Sequence, residues 1–388
     1  MASEPLGDIK RLSMRAEYRK NPLLAMCFCV VGILAVSLSA SAQVVTRDVV
    51  QHIIAEKLLA GQELLFARNY TEAMKLFKAM EAAYPTSPAG YFGEMATVEV
   101  QMLERDDFHL EREFEDAARR GAQAVSRVMQ SYRPTTFELM FGGSLYGLHG
   151  FLKARKGEWL TAYFLGSKSR QLFRRIQTTD PHFVDADFGI GMYLYWRSVF
   201  TKELPFLPFF PDRREEGIKL VTRVAERGWL SKDLALVNLG IMNLEERHPA
   251  KAIKILHRYV ERYPHNVILH SLLGRAYVAG HKYDEAVVAF EQALQLEPMF
   301  HRAHYFMAIA LVLKKDAALL PRAEQELDRF MATSPSQEWQ SYVHYWRGMI
   351  AEVRGDKIRA RKEYEVAIEM NSHLKGAKFR LRGLGGGL

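Results

Sequence analysis

The sequence predicts an all-α protein, a solenoid built from stacked helical hairpins. Three observations support this fold class. A segment recurs with a period of about 34 residues, glycine and proline hold the same places in its copies, and helix-forming sequence fills almost all of the chain after position 42. A chain of 388 residues could also form two compact domains. A repeat array is elongated, however, and does not follow the usual domain size.

Residues 1–42 predict an export signal. From Met14, the basic stretch MRAEYRK leads into an apolar run, 23–38, and the small residues Ala-Ser-Ala at 40–42 follow it. This order is typical of a secretory signal peptide, and cleavage would leave Gln43 first in the chain. Because basic residues precede the apolar run, the remainder of the chain is expected outside the cytoplasm. The predicted location is the periplasm or the extracellular space.

The same segment leaves two alternatives open. Translation could start at Met1 or at Met14, since the residues before Met14 make the basic region unusually long. The apolar run is shorter than the roughly 20 residues that span a bilayer, so a cleaved signal is favoured over an uncleaved anchor. Both cysteines, Cys27 and Cys29, lie in this run. The exported chain is therefore expected to have no disulfide and no thiol chemistry.

The recurring segment gives each residue type a physical role. VNLGIMNLEERHPAKAIKILHRYVERYP starts at Val237, and the next copy, SLLGRAYVAGHKYDEAVVAFEQALQLEP, starts at Ser271. Small residues let two helices approach, aromatic residues fill the seam between hairpins, and proline ends the second helix. The predicted structural positions are Gly240, Gly274, Tyr277, Ala286, Phe290, Pro298 and Gly348.

This pattern closely resembles the tetratricopeptide repeat. The resemblance implies two antiparallel helices per copy, stacked into a right-handed superhelix with a concave groove. Residues 233–374 carry the regular copies, and 50–232 are expected to form divergent hairpins of the same kind, giving roughly eight hairpins. The last segment, 375–388, is basic and rich in glycine, so we expect a flexible tail.

An apolar loop interrupts the divergent half at 204–211, LPFLPFFP. Its phenylalanines, Phe206, Phe209 and Phe210, either fold back onto the core or stay exposed to contact a partner or a membrane surface. The surrounding segment, 183–228, weakly resembles the subfamily that includes the fungal inclusion-body clearance protein, which implies a scaffold rather than an enzyme. The matching residues are Gly189, Gly191, Ser198, Leu204, Pro205, Phe209, Phe210, Asp212, Arg213, Glu216 and Gly217.

The tetratricopeptide resemblance also implies a binding surface, because ligands of that family usually lie along the concave face. The residues at the corresponding positions are aromatic or apolar, with occasional arginine: Arg275, Arg302, Tyr305, Ile309, Tyr342, Tyr345 and Met349. Such a surface suits an amphipathic helix or an extended peptide. The alternative is that these rings pack against neighbouring hairpins.

No catalytic site, cofactor or metal is predicted. His301 and His304 lie three residues apart on one helix, but no cysteine or well-spaced carboxylate completes a metal site. The net charge of +8 is dispersed rather than gathered into a nucleic-acid-binding block. The predicted function is a non-catalytic exported scaffold that binds a protein or peptide in its groove. The alternative is an accessory protein in envelope assembly, or in lipid or polysaccharide handling, that touches the membrane through its apolar loop.

Overall fold

The structure, a computed structural model, describes residues 42–130, 133–202 and 211–385. All but the last residue of the predicted export signal, 1–42, and the phenylalanines Phe206, Phe209 and Phe210 of the apolar loop lie outside these residues, so their roles stay predictions. Within the described ranges all regular structure is helical. None of the helices there is long and apolar enough to span a membrane.

Seventeen α-helices follow one another in the described chain. They are α1 Ala42–Phe66, α2 Tyr70–Ala83, α3 Ala89–Arg105, α4 Glu111–Gln130, α5 Thr136–Arg155, α6 Trp159–Thr179, α7 Ala186–Lys202, α8 Arg214–Arg227, α9 Lys232–Glu245, α10 Pro249–Arg262, α11 Val267–Ala279, α12 Tyr283–Leu296, α13 Arg302–Leu313, α14 Leu320–Met331, α15 Gln337–Val353, α16 Lys357–Met370 and α17 Lys375–Gly383, with a short 3₁₀ turn, Ala317–Leu319, before α14. Consecutive helices pair as hairpins, from α1 with α2 to α15 with α16, and α17 packs against the last hairpin. The predicted all-α solenoid is confirmed.

Glycine allows the closest approach between the two helices of a hairpin. A Cβ on Gly274 of α11 would lie 2.7 Å from the ring of Phe290 on α12, and one on Gly348 of α15 would lie 2.5 Å from the ring of Tyr364 on α16. Cβ atoms do not come this close to other heavy atoms in a close-packed interior. The aromatic ring of each second helix therefore rests directly on the backbone of the first. The helix contact at Gly240 is looser, since a Cβ added there would lie 3.1 Å from a side chain of α10.

The other repeat positions lie between and after the hairpins. Ala286 is fully buried, and Tyr277 is half-buried between the two large apolar clusters of the protein. Pro298 comes two residues after Leu296, the last residue of α12, where it cannot continue the helix.

A buried carboxylate fastens one hairpin to the next. Asp185, just before α7, accepts hydrogen bonds from the backbone N–H groups of Trp229, Leu230 and Ser231 at 3.2, 3.0 and 2.6 Å. Burial raises the pKa of Asp185, against the lowering effect of these three bonds. Asp185 thereby holds the turn between α8 and α9 against the start of α7.

The C-terminal segment is not a flexible tail as far as the structure describes it. Lys375–Gly383 forms α17, and its Ala377 and Leu381 side chains are buried against the last hairpin. The prediction was wrong for these residues because the two apolar positions, four apart, form one helical face that covers the otherwise open end of the array.

Candidate functional site

The predicted groove residues are buried. Each of the seven has less than a tenth of its surface exposed: Arg275, Arg302, Tyr305, Ile309, Tyr342, Tyr345 and Met349. The same holds for most side chains of their helices α11, α13 and α15. These helices therefore present little open surface to a partner in this structure.

Two of the groove tyrosines belong to the packing between helices. The ring of Tyr305 contacts Phe330 and Trp339 at centroid distances of 5.3 and 5.0 Å, and Trp346 Nε1 donates a hydrogen bond of 3.1 Å to its hydroxyl. The ring of Tyr345 contacts that of Tyr364 on α16, at a centroid distance of 5.8 Å. Neighbouring helices thus use both rings to fill the seam, which is the alternative that the sequence left open.

The groove arginines also have intramolecular contacts. Arg302 Nε donates a 2.6 Å hydrogen bond to Asp106, and a second guanidinium nitrogen pairs with the same carboxylate. Asp106 lies at the left-handed end of α3, in the second hairpin. The Arg275 guanidinium lies over the ring of Phe306, at 5.2 Å from its centroid. That the seven groove residues bind a partner stays a prediction, and the structure shows that their side chains are buried.

The ion pair between Arg302 and Asp106 belongs to a larger set of contacts, which we call the closure contact. This set joins the turns after α1 and α3 to the turns before α11 and α13. Arg68 is its centre. The Arg68 guanidinium binds the carboxylates of Glu104 and Glu297, at 2.9 and 2.7 Å, and donates to the carbonyl of Leu296 at 2.7 Å. Burial raises the pKa of Glu104, while its hydrogen bonds and the positive charge of Arg68 oppose the rise.

Apolar and polar contacts continue this closure toward α10. The ring of Phe66 stacks on Tyr263 at 4.9 Å, and Asn266 Nδ2 donates a 3.0 Å hydrogen bond to the carbonyl of Phe66. Glu63 accepts hydrogen bonds from Arg262 and from the Tyr263 hydroxyl at 2.6 and 2.7 Å. The first hairpin therefore packs against hairpins that follow it by 200 positions in the chain.

A second charged cluster lies between α2, α3 and α4. Glu81 and Glu94 share the guanidinium of Arg120, and Lys78 binds Glu94 at 2.5 Å. Burial and the neighbouring Glu94 raise the pKa of Glu81 to about 7. Although burial alone would raise it, the pKa of Glu94 is lowered by bonds with Glu81, Lys78 and Arg120. Lys78, Glu94 and Arg120 border an open cavity of about 620 Å³.

The histidine pair at the start of α13 contacts a neighbouring carboxylate. The His301 and His304 rings stack at 6.5 Å, and His304 Nδ1 lies 2.5 Å from a carboxylate oxygen of Glu326 on α14. In the part of the chain that the structure describes, no three histidine, cysteine, aspartate or glutamate side chains are grouped as metal ligands would be.

A cluster of exposed apolar side chains lies at the start of α6. Trp159, Leu160, Tyr163 and Phe164 are 38, 70, 44 and 57% exposed, and positions four apart fall on one helical face. We call these four residues, together with Arg174 and Arg175 further along the same side of the helix, the outer face of α6. Sequence reasoning missed this surface. The signal was the pair of apolar spacings 159/163 and 160/164, on the side of the helix opposite its buried residues.

One segment of the chain matches a known repeat. Residues 243–308 match the tetratricopeptide repeat. The protein contains tetratricopeptide repeats. In this tetratricopeptide-repeat chain the match runs from the end of α9 into α13, in the regular half of the array. The resemblance of 183–228 to the inclusion-body clearance subfamily stays a prediction.

Solved structures show distant likenesses to this tetratricopeptide-repeat chain. PilF of Pseudomonas aeruginosa is 18% identical, with 62% of this chain and 97% of that chain covered and a TM-score of 0.39. A tetratricopeptide repeat protein from Parabacteroides merdae is 13% identical, covering 76% and 99%, with a TM-score of 0.42. Yeast Tom70 is 12% identical, covering 81% and 69%, with a TM-score of 0.42. No curated protein matches the chain. Likenesses at this level carry no argument about function.

Proposed function

We propose that the protein is a non-catalytic tetratricopeptide-repeat scaffold, exported across a membrane, that binds a protein partner. The observation that carries the proposal is the repeat match over residues 243–308, because stacked hairpins of this kind form extended binding surfaces. Export is supported by the order of basic, apolar and small residues in 1–42.

The partner surface proposed here differs from the predicted groove. Since the first helices α11, α13 and α15 are almost entirely buried, the second helices supply the accessible surface of the regular repeats. Val288 on α12 and Ile358 on α16 are 56 and 85% exposed. A cross-linking amino acid at either position would reach a partner that binds these repeats.

Site-specific photo-crosslinking in the native host tests the scaffold. A benzophenone amino acid replaces Val288 or Ile358, and the control carries it at Lys75 on α2, which is also well exposed. We expect a discrete cross-linked protein from one or both repeat positions and none from position 75. Identical patterns from all three positions, or no product from any, would contradict a partner on the repeats.

Export is tested separately. N-terminal sequencing of the purified protein should start at Gln43 if the signal is cleaved, and protease added outside the cytoplasmic membrane should reach the chain. Full protection of the chain until the cytoplasm is opened would overturn the export proposal and leave the cross-linking result standing.

One observation favours a second candidate, an accessory protein that touches a membrane. It is the outer face of α6, whose exposed apolar side chains are not used by the repeat core.

A further inference from the structure

We propose that the outer face of α6 binds the surface of an anionic lipid bilayer. This rests on the second candidate function and names its ligand. It goes beyond the scaffold function, because it concerns a different surface from the regular repeats and a different class of partner. The test of this proposal can therefore fail while the scaffold proposal stands, and the test of the scaffold can fail while this proposal stands.

The apolar half of this face has the composition of a membrane contact. Leu160 and Phe164 are one helical turn apart, and more than half of each side chain is exposed. Large apolar side chains exposed next to one another mark interaction sites. Trp159 and Tyr163 flank them, and amphipathic rings of these two types favour the boundary between lipid headgroups and acyl chains.

The neighbouring helix extends the aromatic surface. The ring of Trp159 lies 5.7 Å from that of Phe200 near the end of α7, and Tyr163 contacts Phe164 at 5.9 Å. The contact with Phe200 supports Trp159 on one side and leaves more than a third of it open. Trp159 is therefore held in place before any partner arrives, which lowers the entropic cost of binding.

The second half of the face is basic. From Trp159 to Thr179, α6 carries four basic residues and no acidic residue. Two of them lie on the same side of the helix as the apolar residues and roughly 15 Å or more further along its axis, since Arg174 follows Leu160 by 14 positions and Arg175 follows Phe164 by 11. As far as the described residues show, none of the four forms an ion pair with a carboxylate: Lys168, Arg170, Arg174 and Arg175. Their charge is therefore not neutralised by the described part of the protein.

The acidic groups at the two ends of α6 are already bound. Glu158, which precedes α6, pairs with Lys153 and Lys156 at 3.3 and 3.1 Å. Asp180, which follows α6, accepts a hydrogen bond from Thr136 at 3.2 Å. The face between them keeps the positive charge of its second half.

This combination favours lipid over a protein partner. Helices that lie on membrane surfaces carry Trp, Phe and Leu beside Lys and Arg, and anionic headgroups attract each basic residue near the surface. With apolar rings at one end of the face and arginines at the other, the rings would enter the headgroup layer while the arginines contact lipid phosphates.

A single-cysteine reporter tests the proposal on the full chain. Its two cysteines, Cys27 and Cys29, become serine, and Leu160→Cys carries an environment-sensitive nitrobenzoxadiazole label. The matched control carries the label through Val288→Cys, an exposed position on a helix with acidic residues. Vesicles contain phosphatidylcholine with or without phosphatidylglycerol. Because the label senses only its own surroundings, a membrane contact elsewhere in the chain does not confuse the result.

We expect the label at 160 to brighten and shift to the blue with phosphatidylglycerol vesicles, and the label at 288 to stay unchanged. Adding Arg174→Gln and Arg175→Gln should raise the lipid concentration needed for the response at 160 by about tenfold or more. Circular dichroism establishes that each variant is folded.

The proposal is overturned if the label at 160 stays silent with vesicles, or responds no more than the label at 288. If a benzophenone at position 160 then cross-links to a host protein, the face binds a protein instead.

Discussion

Arg302 and Asp106 form an ion pair across 196 positions of the chain. The arginine begins α13 and is almost fully buried, and the aspartate ends α3 with a left-handed backbone. This pair, with the contacts of Arg68, turns an open row of hairpins into an array whose first hairpins pack on its middle ones.

The Arg302–Asp106 pair should stabilise this closure. Arg302→Met leaves the Asp106 carboxylate without its guanidinium, and we expect the free energy of unfolding to fall by about 2 kcal/mol, less than for a fully buried pair because Asp106 is partly exposed. Asp106→Asn keeps a residue that tolerates the left-handed backbone. Urea unfolding of both single variants and the double variant gives the coupling between them. Strictly additive losses would mean that the two side chains do not stabilise each other.

Because α11 and α12 lie close together, adding a side chain at Gly274 should destabilise the protein. Gly274→Ala places a methyl group 2.7 Å from the Phe290 ring, so we expect a loss of about 1–3 kcal/mol from overpacking, and a larger loss for Gly274→Leu. Thermal unfolding measures both. Gly383→Ala is the control, because no atom lies within 4 Å of the added group, and it should change stability little. A Gly274→Leu variant as stable as the native chain would mean that the two helices are further apart than described.

Because Tyr305 lies in the core, its replacement should lower stability, whereas replacing a binding residue would weaken only partner binding. Tyr305→Ala removes a fully buried ring and should lower the free energy of unfolding by about 3–5 kcal/mol. Tyr305→Phe keeps the ring, removes the acceptor of the Trp346 hydrogen bond and should cost about 1 kcal/mol. Tyr345→Ala should behave like Tyr305→Ala in chemical unfolding. If the alanine variants kept the stability of the native chain and lost only a partner, the groove assignment would be supported instead.

The Glu81–Glu94 cluster predicts a dependence of stability on pH. Burial and Glu94 raise the pKa of Glu81 from 4.5 to about 7 in the folded protein. The folded state therefore holds a proton that the unfolded state has released in this window, so the contribution of Glu81 is complete below pH 4.5 and is lost as the pH rises toward 7. Glu94 has a lowered pKa and titrates below this window.

Urea unfolding at about pH 5 and about pH 8 measures the effect. After allowance for solvent screening, the native chain should lose about 1–2 kcal/mol more between the two conditions than Glu81→Gln, which cannot ionise. Other titrating groups change both proteins alike, so the difference isolates Glu81. Parallel pH profiles for the two proteins would show that Glu81 is ionised throughout.

Local pattern predicted the fold because each repeat specifies its own structure. Gly274, Ala286 and Phe290 have counterparts one period of about 34 residues away, and the requirement for a small residue opposite a large one is satisfied inside one hairpin. The burial of the groove side chains could not be derived in this way. Tyr305 is buried by Trp339 and Trp346 of the next hairpin, and repeat position alone does not say whether a neighbour covers a ring or leaves it open.

The sequence by itself determined the helices, their pairing into hairpins and the tetratricopeptide character, because the repeat period and the helix-ending residues act over short distances along the chain. Only the tertiary structure decided which surfaces remain available. The first hairpins cover the edge that Arg302 occupies, α17 covers the C-terminal end with Leu381, and the outer face of α6 is left open. These outcomes depend on contacts between residues far apart in the chain, and the packing of the whole array sets them.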